Sequence, residues 1–188
     1  MIRLTISDTT ATITIDDPDR RNALSNEAMV ELGVALRSAC ADAMVRVVVV
    51  TGAGDRAFSA GGDLSGGFVD APLADHGGRS ALADLVRAMR RCPKPIVARV
   101  NGHALGGGLG LVAACDIAIA ADNARFGTPE IAVGLWPMMI TAVLRPLVPR
   151  RPLLEHPNHQ MPILALLHIP PMRYESYLIS IDRLQHTQ

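Results

Sequence analysis

Charge of one sign is missing from this chain: 18 Lys+Arg face 18 Asp+Glu, a formal net charge of zero. A dedicated nucleic-acid binder carries a basic excess or stripe, so that class is set aside. Aromatic residues are scarce, 3% of the whole, too few for base-stacking platforms. Cysteines are few as well. Cys40, Cys92 and Cys115 are odd in number and widely spaced, which fits a reducing compartment better than a disulfide framework. With no CxxC and no Cys/His cluster, no metal site is expected. Met1 to Asp8 is too short and polar for a signal peptide, and the most apolar stretch, Ile131 to Val148, is broken by Pro137, Arg145 and Pro146. A cytoplasmic globular protein engaging neither nucleic acid nor membrane is the expectation.

Glycine is lacking too, but only at one end. All 16 glycines lie at or before Gly134. The segment after Arg150 holds both tyrosines (Tyr174, Tyr177), all the glutamines (Gln160, Gln185, Gln188) and a single alanine, Ala165. It is rich in proline and histidine and shows no sustained helix or strand period. Residues 1–150 therefore read as the domain and 151–188 as an atypical tail, with an ordinary C-terminal extension as the alternative.

What is present in 1–150 is an α/β pattern in a chain of 49% apolar residues. Ile2–Ile6 and Ala11–Ile15 alternate around Asp8-Thr9-Thr10 and predict a hairpin. Ser25 suits the N-cap of a helix to about Cys40. Val45–Val50 reads as a buried strand, 52–67 as mostly loop, Ser80–Arg91 as a helix ended by Pro93, and Ile96–Val100 as the next strand. Asn101–Gly110 reads as a glycine-rich turn into a short helix to Ala114, and Ile117–Ala120 as a further strand. Function is expected at the loops on the strand ends.

Gly52, Gly54 and Ala57 satisfy G-x-G-x-x-A after a strand, a dinucleotide fingerprint in form. A Rossmann turn runs straight into a long helix, however, and Ala60-Gly61-Gly62 interrupts this one. No glycine-rich segment contains Gly-Lys-Ser/Thr, which removes a P-loop. Ser59 has no His/Asp partner at recognisable spacing, His103 reads as a satisfied structural histidine, and Asp116 as a hydrogen-bonded turn residue. More informative is the pair of glycine segments, Ala57–Leu64 and Asn101–Gly110. Each can present bare backbone N–H groups, the second at a helix start where the dipole adds to the donor. Two such donors meeting on one oxygen stabilise an enolate-like charge. Taken singly, each loop serves equally as a close-packing device.

Four segments, Asp19-Arg20-Arg21-Asn22-Ala23-Leu24, Ala57–Leu64, Asn101–Gly110 and Phe126-Gly127-Thr128-Pro129-Glu130, together resemble the crotonase (enoyl-CoA hydratase/isomerase) superfamily in order and spacing. The resemblance implies a spiral of ββα repeats, with the family's C-terminal helices missing or replaced here, and trimers or hexamers as the usual assembly. It implies an acyl-CoA or enoyl-CoA substrate whose thioester oxygen lies between the N–H groups of Gly62 and Gly107. Arg21, Ala23, Ala60, Gly61, Asp63 and Leu64 would then contact the CoA moiety, and no cofactor beyond that substrate is implied. Family hydratases clamp water between two carboxylates. One is matched by Glu130, while the other position holds Gly110, which has no side chain. A single glutamate beside a polarised enoyl thioester favours proton transfer between the α and γ carbons, an isomerase reaction. The alternatives are Glu130 as an ordinary loop carboxylate and the chain as an impaired paralogue that only binds acyl-CoA or partner subunits.

Overall fold

The computed structural model describes residues 1–62, 77–130 and 138–147. Asp63, Leu64, the boundary at 150 and the tail 151–188 lie outside the described residues.

Strands β1 (Ile2–Ser7) and β2 (Thr10–Ile15) form the predicted hairpin. The loop between them is Asp8-Thr9, with Asp8 at φ 51°, a left-handed conformation that Asp tolerates. Strict alternation puts Ala11, Ile13 and Ile15 in the core while the intervening threonines stay half-buried. Helix α1 (Asn26–Ala41) starts where predicted: the Ser25 hydroxyl accepts the Ala28 N–H at 3.1 Å. Its buried face, Ala28, Met29, Leu32, Leu36 and Ala39, follows the helical period.

Three ββα units follow, the repeat that the family resemblance implies. The first is β3 (Val47–Gly52), β4 (Ala57–Ser59) and α2 (Gly77–Arg91). The second is β5 (Ile96–Val100), β6 (His103–Leu105) and α3 (Gly107–Ala114). The third is β7 (Ile117–Ala120), β8 (Phe126–Gly127) and α4 (Met138–Leu144). The first strand of each unit joins a sheet of order β1-β2-β3-β5-β7, parallel from β2 onward, and the second strand joins a small parallel sheet β4-β6-β8. Short strands thus lie inside 52–67 and 101–110, which the sequence pattern predicted as loop and turn. They are too brief to show alternation. Phe58 on β4 is fully buried, and α3 is buried from Gly107 through Ala113, apolar on every side because it lies within the core.

One expectation is corrected. Cys40, in the last turn of α1, and Cys92, just past α2, are paired as a disulfide with Cα atoms 6.2 Å apart. Their separation of 52 residues hid the pairing from any local spacing rule. Beside it, the Lys94 ammonium donates to the carbonyls of Ala39 and Asp42 at the end of α1. Asp116 behaves as expected: its carboxylate accepts the Ile96 N–H at 2.8 Å and opens β5.

Candidate active site

The small sheet decides where the glycine loops go. Parallel strands end together, so the segments after β4, β6 and β8 emerge at one edge, the usual place for function in parallel sheets. Those segments carry Gly62, Gly107 and Glu130 respectively. The Gly52–Ala57 turn runs into β4 and not into a helix, which removes the dinucleotide reading.

The first two loops touch. A methyl group on Gly61 would lie 3.0 Å from the Gly107 nitrogen, and one on Gly107 would lie 3.6 Å from the Gly62 nitrogen. Gly61 adopts φ 92°, open to glycine alone without strain. Each donor is aimed through its own peptide group, because N–H and C=O point oppositely in a trans peptide. The Gly61 carbonyl accepts the Leu24 N–H at 2.8 Å, so the Gly62 N–H faces away from Leu24. The Gly106 carbonyl accepts the Gly110 N–H at 3.1 Å along α3, so the Gly107 N–H points out of the helix start. Among the described residues, neither N–H has a backbone acceptor.

Glu130 joins them from the third unit. Its Oε1 would lie 2.5 Å from a methyl on Gly106, so the carboxyl group rests against the residue preceding the second donor. Gly106, at φ 50°, supplies both the backbone conformation and the space. Glu130 Oε2 is buried with no hydrogen-bond partner among the described residues. Burial pushes the carboxyl pKa up from its ordinary value, with a hydrogen bond to the residue's own backbone opposing part of the rise. Gly110 lies on α3, where, among the described residues, a methyl would meet Ile140 Cγ1 of α4 at 3.6 Å.

The Arg20–Leu24 turn borders the first donor loop. Arg21 is exposed, its carbonyl accepts the Ala60 N–H at 2.9 Å, and Ala23 closes the turn by donating to the Arg20 carbonyl at 3.2 Å. Arg21, Ala23, Ala60 and Gly61 are therefore assembled as one wall. Ser59 is wholly buried and its hydroxyl accepts the Gly61 N–H at 3.1 Å, a structural role. Among the described residues, His103 Nδ1 is buried without a hydrogen-bond partner. Two residues escaped the sequence reading. Asn22 (0% exposed) and Asn101 (5%) both donate to the Ala57 carbonyl, at 2.6 and 3.2 Å. The signal for them in the sequence was an amide at a turn within each of two family-like segments.

A sequence model of the enoyl-CoA hydratase/isomerase family matches residues 5–153. Among solved structures, an enoyl-CoA hydratase from Mycobacterium avium is similar at 28% identity and TM-score 0.85, covering 100% of this chain and 79% of that one. An enoyl-CoA hydratase subunit I from Geobacillus kaustophilus is similar at 30% identity and TM-score 0.84, over 97% of this chain and 73% of that one. The human enoyl-CoA hydratase domain-containing protein 3 gives 26% identity and TM-score 0.81, over 98% and 76%.

Proposed function

The chain belongs to the enoyl-CoA hydratase/isomerase family, and on that footing we propose that it binds acyl-CoA thioesters and isomerises enoyl-CoA through an oxyanion hole. The observation that carries this reading is the meeting of the Gly62 and Gly107 N–H groups with the Glu130 carboxyl group beside them. Two aimed donors stabilise charge on the thioester oxygen, which acidifies the α carbon. The Glu130 carboxylate takes a proton from the α carbon of a 3-enoyl thioester, and the electron pair spreads onto the oxygen between the donors. The resulting carboxylic acid returns the proton to the γ carbon, and a 2-enoyl thioester leaves. The raised pKa of Glu130 supports this role, because a desolvated carboxylate is a stronger base. The Arg21–Ala23 turn and the Ala60-Gly61 backbone are assigned to the CoA moiety, which enters as part of the substrate.

Gly110 argues against hydration as the main reaction, since no side chain stands there to share a water with Glu130. The same gap favours a second reading, acyl-CoA binding without turnover. Deuterium exchange into an enoyl-CoA, run beside calorimetric titration, separates the two. Glu130→Gln is expected to abolish exchange at the α and γ carbons while binding survives. Unchanged exchange in that variant removes Glu130 from the chemistry, and wild-type binding without exchange selects the second reading.

A further inference from the structure

We propose that Asn22 is a positioning residue: its buried amide holds the Arg20–Leu24 turn so that this turn aims the Gly62 N–H. The proposal rests on the oxyanion reading above and names the residue on which one donor's direction depends.

Arg21 and Asn22 adopt φ 55° and 57°, consecutive left-handed conformations in residues that carry a Cβ. Such backbone persists where its surroundings over-determine it, and Asn22 supplies the restraints. Its Nδ2 donates to the Ala53 carbonyl at 3.0 Å and to the Ala57 carbonyl at 2.6 Å. Its Oδ1 accepts the Asp17 N–H at 3.0 Å, and its own N–H donates to the Asp17 carbonyl at 2.7 Å. The amide thus ties the turn to the segment entering β4. Gly52 leaves the room for it, since a methyl there would lie 2.7 Å from Asn22 Nδ2.

The consequence reaches the donor through the residues on either side. Arg21, before Asn22, accepts the Ala60 N–H with its carbonyl. Leu24, two residues after it, donates to the Gly61 carbonyl, the other end of the peptide group that carries the Gly62 N–H. Loosening the turn releases the Gly61 carbonyl, and the Gly62 N–H swings with it. Ala57 keeps a second donor in Asn101, so the loop entering β4 retains a tie when Asn22 is replaced. The expected loss falls first on stabilisation of charge. CoA affinity weakens as far as Arg21 and Ala23 shift with the turn, so polarisation of the bound carbonyl is the readout that identifies the positioning role.

The test uses the full 188-residue chain with Asn22→Gly, which deletes the amide and still allows the left-handed backbone. Turnover of saturating 3-enoyl-CoA should lose roughly 100-fold in kcat, the scale of one oxyanion donor. The infrared carbonyl stretch of bound butanoyl-CoA supplies a readout that stability does not move. Wild type should lower that frequency relative to free ligand, and Asn22→Gly should lose a large part of the shift. A full shift in the variant, with kcat intact per folded molecule, overturns the proposal alone. A wild-type spectrum without any shift overturns the oxyanion reading and this proposal together. Should Asn22→Gly fail to fold, the isosteric Asn22→Asp, which keeps the acceptor for Asp17 and loses the donor, is expected to give the same result. Failure of both to fold assigns Asn22 to global stability and overturns the positioning role.

Discussion

Glu130 shows what a residue's surroundings add to its identity. A carboxylate in water titrates near 4.5, whereas here burial favours the neutral acid and raises the folded-state pKa above that value. Two consequences share one sign. In the proposed isomerisation Glu130 acts as base only when ionised, so kcat/KM should fall on the acid side through a pKa above 4.5. The folded chain also holds the proton more tightly than the unfolded one. Ionisation therefore costs stability above the folded pKa, and that cost fades as pH falls toward the unfolded value. Glu130→Gln should melt higher than wild type at neutral pH, and the gap should close on acidification. A gap independent of pH would remove the desolvated carboxylate. The position of Glu130 was legible because it stands in a four-segment pattern. The clamp of Asn22 and Asn101 was not, because an amide's role depends on which carbonyls face it in space.

At the scale of elements, α3 separates glycines that the sequence shows only as a cluster. A methyl at Gly108 would come 2.5 Å from the Ser59 carbonyl oxygen, a backbone atom that cannot yield cheaply. A methyl at Gly110 meets Ile140 at ordinary contact distance. Gly108→Ala should therefore lose about 1–3 kcal/mol by overpacking. Gly110→Ala should gain up to about 1 kcal/mol from helix propensity and lower chain entropy in the unfolded state. Thermal or urea melts of the two variants check the opposite signs, and equal destabilisation would refute this packing of α3. The longer elements, α1, β2, β3 and β5, were legible because five to sixteen residues are enough to display a period. β4, β6 and β8 have three, three and two residues, and only neighbouring strands make them a sheet.

At the scale of the whole molecule, the candidate site is the product of repetition. Each ββα unit delivers one group to the edge of the small sheet: Gly62 from the first, Gly107 from the second, Glu130 from the third. The Arg20–Leu24 turn, between the opening hairpin and α1, supplies the restraint on the first of them. A site divided among all units should stabilise all of them when filled. Acyl-CoA at 100 times its Kd should add about 2.7 kcal/mol to unfolding, a Tm rise of roughly 5–11 °C for a chain of this size. Differential scanning calorimetry with and without ligand reads this directly, and an unmoved Tm at millimolar acyl-CoA would contradict the binding assignment.

The sequence by itself determined the α/β class, the family and the glycine loops with their glutamate, because hydrophobic period, glycine placement and motif order are properties of the chain read along its length. The tertiary structure decided the rest: the second sheet, the pairing of Cys40 with Cys92, the close approach of the Gly61-Gly62 and Gly106-Gly107 backbones and the amides of Asn22 and Asn101 on the Ala57 carbonyl. Each of these is a relation between residues 22 or more positions apart, or a direction in space. Direction and distant contact arise only when the units close on one another.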